Sequence, residues 1–163
     1  YLGDDSDIYA SSVARCCPDQ NQKVKMKEFK LCSGYIIQDL ETLSLLYDSL
    51  CVVLLGAQAV RAFYKYVVER KESMSLAKGI SENGKQLAIP QKDWKFTVFS
   101  TYHPNMVLFE KNNANAVHTH MKMVKDWTQD IKPMSSKPVW IKTISPFEYK
   151  KGDYELVQFK PGH

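Results

Sequence analysis

Leu50-Cys51-Val52-Val53-Leu54-Leu55 is an unbroken apolar run that stops at Gly56 and leads directly into a helical pattern. A strand with no polar face must be covered on both sides, which places it in a parallel sheet between helical layers. The helical pattern runs from Gln58 to Arg70, with Val60, Phe63, Tyr64 and Val67 on one face. Upstream, Ile36, Leu40, Leu43 and Leu46/Tyr47 recur at three- and four-residue spacing, predicting an amphipathic helix over Lys25 to Tyr47. Downstream, Phe96 to Ser100 reads as a strand, and Ala114 to Ile131 as a helix with Val117, Met121, Val124 and Ile131 inward. Asp7 to Arg15 reads as another strand, and Cys16 to Gln22 as a loop. Glu72 to Asp93 is polar, with an Asn83-Gly84 turn and a short apolar pair at Leu87-Ala88. The order β-α-β-α-β-β-α predicts an α/β fold, a three-layer αβα arrangement with a mainly parallel central sheet. Leu40, Val53, Leu54, Phe63 and Val124 are its expected core.

The 163 residues are enough for one domain with a real core. We divide them into a domain over residues 1–131 and an extension or linker over 132–163, rich in Lys, Pro and Tyr. No apolar run approaches the roughly 20 residues that span a bilayer, and the start carries no signal peptide. The expectation is therefore an intracellular protein with no membrane partner. A net charge of +4 fits a nucleic-acid partner without requiring one. Without a secretory signal, Cys16, Cys17, Cys32 and Cys51 are buried thiols or metal ligands and not a disulfide framework.

In open α/β sheets ligands sit beyond the carboxyl ends of the strands. Three segments meet that condition: the loop after Arg15, the Gly56 turn, and Thr101 to Asn105. All three have the placement to line one cleft. His103 stands out among them, directly after a strand and before Pro104, which restricts its backbone to extended conformations. An imidazole so placed either packs in a turn or stabilises negative charge on a leaving group. Gly56-Ala57 reads as a tight turn with no glycine-rich phosphate loop, which disfavours a Rossmann-type nucleotide enzyme. Cys17 and Cys51 read as buried thiols. His118 and His120, two apart on a helix, point in different directions and suit solvent. Trp94, Trp127 and Trp140 read as core or interface aromatics, and Glu110, Lys111 and Lys122 to Lys125 as solvated surface or, in the alternative, phosphate contacts.

Three segments in order resemble the family-4, iron–sulfur uracil-DNA glycosylases. VFSTYHPNMVLFEK (Val98 to Lys111) is similar to that family's TYHPAALLR motif. SLCVVLLGAQAVRAF (Ser49 to Phe63) resembles its strand–helix segment, and IYASSVARCCPDQN (Ile8 to Asn21) its upstream strand and cysteine loop. The resemblance implies that His103 contacts uracil and supports the departing anion. It also implies that Ser12, Tyr102, Pro104 and Asn105 contact the base. The stretch Pro104 to Lys111, including Met106 and Lys111, would match the loop that presses on the DNA minor groove while the base is flipped out. Cys16 and Cys32, sixteen positions apart, would match two of the four ligands of a 4Fe-4S cluster.

The chain departs from that pattern in two places. The family's first motif, which positions water, has no counterpart here, nor has the aromatic residue that follows it. Ser12 falls where the family carries a uracil-reading asparagine, and a single hydroxyl replaces a bidentate amide. Two functions follow as expectations. One is excision of uracil from DNA, with the missing part supplied by another chain or domain. The other is a catalytically silent DNA- or protein-binding module that keeps the fold. Related domains occur fused to bacteriophage DNA polymerases, which makes a viral replication protein acting in the host cytoplasm one setting for it.

Overall fold

A computed structural model describes residues 8–15 and 24–130. Within them run α1 (Met26–Leu46), β1 (Cys51–Leu55), α2 (Ala57–Tyr66), α3 (Leu76–Ser81), β2 (Gln86–Ala88), β3 (Lys95–Thr101), α4 (Pro104–Phe109) and α5 (Lys111–Asp130). The order of the sheet is β1-β3-β2, with β1 parallel and β2 antiparallel to the central β3. Every residue of β3 after Lys95 is buried, as a strand covered on both faces requires.

Side-chain alternation along β3 separates the two helical layers. Phe96 and Val98 point into a cluster with Val60, Phe63, Tyr64 and Val67 of the α2 region. The Phe63 and Phe96 rings meet edge to face with centroids 5.7 Å apart. On the same face Gly79 of α3 sits over Ser100, where a Cβ would come within 3.3 Å of Ser100 Cβ. The opposite face carries Thr97, Phe99 and Thr101, and Thr101 Oγ1 lies 2.9 Å from His120 Nδ1 of α5. The sheet therefore has helices on both sides, in keeping with a three-layer α/β fold. Helix α1 lies outermost on α2, turning Phe29, Cys32, Ile36 and Leu40 inward at spacings of three and four. Among the described residues no helix is long and apolar enough to cross a membrane.

Four expectations need correction. Residues 8–15 form no strand. Their hydrogen bonds go to side chains and not to a ladder: Ser12 Oγ serves Ala14 N and O, while Ser11 and Arg15 both reach Asp39 of α1. Serines that bond their own backbone compete with strand pairing. Second, β1 is an edge strand of the described sheet, Val53 is only half-buried, and Leu54 alone is fully covered. Third, Glu72 to Asp93 is more than a polar connection. It holds β2 and also α3, which is capped by Ser75 and tied at its far end by Arg70–Glu82 at 2.6 Å. Fourth, the stretch from Pro104 to Phe109 is helical, α4, and not a loop. The 16–22 loop, Ile131 and the extension from 132 onward lie outside the described residues.

Candidate active site

Where β3 ends, its last residues are held from several sides. Asn83 places its side-chain amide against the backbone of Ser100, accepting from Ser100 N at 2.6 Å and donating to Ser100 O at 3.0 Å. This extends the β2–β3 ladder with a side chain. Gly56 N donates to Thr101 O at 2.8 Å. His120 Nδ1 meets the hydroxyl of Thr101, a residue only 1% exposed. The chain leaves this clamp at half-buried Tyr102 and reaches His103, which is exposed.

His103 is the N-cap of α4, with φ −64° and ψ 140°, the extended conformation that a following proline imposes. Pro104 takes the first helical position, where a missing N–H costs nothing. The His103 ring does what a serine or aspartate does at a cap: Nδ1 accepts from Asn105 N at 3.2 Å. In the neutral ring this bond assigns the proton to Nε2, so Nε2–H is the donor still available to a ligand. The ring has a fixed tautomer and a fixed root.

Gly56 is the second element of the site. Its φ of +89° with ψ 168° belongs to a region reached essentially only by glycine. A Cβ there would stand 3.0 Å from His103 Cβ. The β1–α2 turn and the β3–α4 turn are thus in contact, as expected for two carboxyl ends of adjacent parallel strands. Gly56→Ala should therefore destabilise the fold by about 1–3 kcal/mol and shift the His103 ring resonances. Urea melts and NMR of the variant check this; a change under about 0.5 kcal/mol, the range of neutral surface substitutions, would contradict it.

Beyond His103, α4 exposes three large apolar side chains: Leu108 and Phe109 are each 81% exposed and Met106 is 44% exposed. Exposed Asn105 and Lys111 flank them, and exposed Lys122 and Lys125 follow on α5.

Ser12 is exposed, its hydroxyl taken up by Ala14, and among the described residues no hydrogen bond links it to the His103 turn. Cys16 lies outside the described residues, so its pairing with Cys32 is not described either. Cys32 is 1% exposed on the apolar face of α1. Burial pushes the Cys51 thiol up to about 12, as for a thiol held in apolar surroundings. Among the described residues no three metal-ligating side chains converge, so these residues do not themselves make up a cluster site.

One residue of the site escapes the sequence reading. His120, expected in solvent, is half-buried against Thr101, and burial lowers its pKa. A signal for this exists: His120 stands three residues after Val117 and four before Val124, on the stripe that faces the sheet.

Residues 3–129 match the sequence profile described as the uracil DNA glycosylase superfamily. A type-4 uracil-DNA glycosylase of Saccharolobus solfataricus is 24% identical over 147 residues, which cover 90% of this chain and 60% of the relative. A second, from Sulfurisphaera tokodaii, is 22% identical over 119 residues, covering 73% of this chain and 50% of the relative. The chain thus spans only half to three-fifths of the length of these relatives.

Proposed function

Because the chain belongs to the uracil-DNA glycosylase superfamily, we propose that it hydrolyses the bond between uracil and deoxyribose in DNA, with His103 supporting the base as it leaves. The observation that carries this reading is the His103 ring, rooted at the clamped end of β3 with Nδ1 held by the Asn105 amide and Nε2–H left to donate. A uracil flipped from the helix would present a carbonyl oxygen to that donor. As the glycosidic bond breaks, its electron pair passes to the base, and negative charge grows on that oxygen. A donor already in place stabilises this charge more than it stabilises the ground state. Water then adds to the sugar carbon and gives up a proton, with no covalent enzyme intermediate. The residue that positions this water is proposed to come from a segment outside this chain.

Tyr102, Pro104 and Asn105 are the proposed neighbours of the base. The exposed apolar side chains of α4, Met106, Leu108 and Phe109, are proposed to supply a wedge against unstacked bases, an apolar role that side chains play in flipped or kinked duplexes. Lys111 is the proposed phosphate contact. Cys16 and Cys32 are the proposed pair of cluster ligands, an incomplete set by themselves. Residues 1–131 form the proposed catalytic unit and 132–163 an extension from it.

A second reading, a silent DNA-binding module, is favoured by Ser12 alone, since its hydroxyl is spent on Ala14. Uracil release from single-stranded and U·G duplex oligonucleotides separates the two. Release by the chain, alone or joined to the upstream segment of a longer relative, supports excision; no release under either condition, with DNA binding retained, assigns the module. In either case Lys111→Ala should weaken binding about equally for all sequences and reduce the salt slope of log K by about one. Anisotropy titrations across a salt series measure this, and an unchanged slope would remove Lys111 from the interface.

A further inference from the structure

We propose that His120 is a positioning residue for His103 and acts through Thr101. The proposal rests on the excision reading for its functional consequence, and on geometry alone for the coupling. Thr101 is the last residue of β3, and His103 follows two positions later. Three contacts hold this strand end. Asn83 grips the backbone of Ser100, Gly56 N holds the Thr101 carbonyl, and His120 holds the Thr101 hydroxyl from the opposite layer. The first two act on backbone atoms within the sheet. His120 instead bonds the Thr101 side chain, and it comes from α5.

The two layers therefore meet at this residue. Without His120 the buried Thr101 hydroxyl loses its partner, and a buried hydroxyl left unpaired drives a local rearrangement or admits water. Thr101 is β-branched, so its χ1 has few ways to turn, and the strain passes into Tyr102 and His103. The His103 cap is sensitive to such a shift because its 3.2 Å bond to Asn105 N is already at the long end of the usual range. Burial lowers the His120 pKa, which favours the neutral ring. Asn113, buried in the first turn of α5, donates to Met106 O at 3.4 Å and ties the middle of α4 to the same helix. Helix α5 thus sets both the root of the β3–α4 turn and the helix that follows it.

The test compares His120→Ala, His120→Asn and Thr101→Val in the full chain, with circular dichroism to confirm folding. The first readout needs no activity: long-range nitrogen NMR of the His103 ring at mildly alkaline pH, with hydrogen exchange at the Asn105 amide. His120→Ala and Thr101→Val should each shift His103 from the Nε2–H form toward a tautomer mixture and speed Asn105 exchange several-fold. The double variant should do no more than either single change, because both remove one bond. His120→Asn, whose amide reaches a similar position, should restore most of the wild-type signal. If His120→Ala fails to fold, Thr101→Val carries the test, since it removes only the hydroxyl. Where the wild type releases uracil, single-turnover rates should fall about tenfold to a hundredfold with DNA affinity unchanged, the expected result of a small misplacement. His103 signals and Asn105 exchange that match wild type in both folded single variants would overturn the proposal. Absence of uracil release by the wild type, both alone and joined to the upstream segment of a longer relative, would defeat the excision reading, while the NMR comparison would still decide the coupling.

Discussion

His103→Ala should lower the rate of uracil release by about a hundredfold or more, the usual loss on removing one preorganised donor to a developing anion. Affinity for DNA should hardly move, because the ring stabilises charge that exists only as the bond breaks. His103 is exposed on a turn, and among the described residues its ring accepts one hydrogen bond, from Asn105 N, while its Cβ lies against Gly56. Losing the cap bond should cost about 1 kcal/mol of stability, too little to unfold the chain, so a large fall in rate would report chemistry. Asparagine at 103 would restore the cap without the Nε2 donor, and it should fold like wild type while remaining slow. The measurement is single-turnover release alongside anisotropy binding on the same oligonucleotide. Undiminished release in His103→Ala would remove the residue from the mechanism.

Phe63→Ala should be the most damaging single change to stability, at about 3–5 kcal/mol. The residue is buried at the centre of the cluster. Its ring packs edge to face on both Tyr64, at 6.4 Å, and Phe96, at 5.7 Å. It therefore joins α2 to the central strand, and a cavity there cannot collapse without moving the sheet. Against a typical total of about 5–15 kcal/mol, the variant should lose roughly 10 °C or more in melting temperature. Circular dichroism melts give the value, and a loss under about 1 kcal/mol would show that Phe63 is not at the core. Because β3 ends at the site, partial unfolding should also abolish release.

The order of the central elements follows from local rules that tertiary contacts do not override. Cys51–Leu55 is apolar throughout and ends at a glycine, and it forms a strand with those bounds. The periodicity of α1 identifies Ile36 and Leu40 correctly, because a helix of 21 residues presents several turns to one neighbour. Short segments reveal less. Residues 8–15 are short and read as a strand, yet a strand exists only if a neighbour completes its ladder; here the Ser12 hydroxyl bonds the amide and carbonyl of Ala14 instead. The six residues of α3 and of α4 are too brief for periodicity, and packing and caps decide them.

The same division runs through the site. The sequence by itself determined that His103 follows a strand, that Pro104 fixes its backbone, and that a glycine ends the parallel neighbour. Those are properties of adjacent residues, and covalent geometry and φ restriction are enough to read them. Only the tertiary structure decided that Gly56 touches His103, that Nδ1 is spent on a cap, and that His120 reaches Thr101 across 19 positions of chain. Strand order and helix placement set which distant groups meet, and neither is written in the spacing of any one segment. Ser12 shows the reverse: its place in the sequence pointed to the site, but the bonds it makes are to Ala14, two residues away.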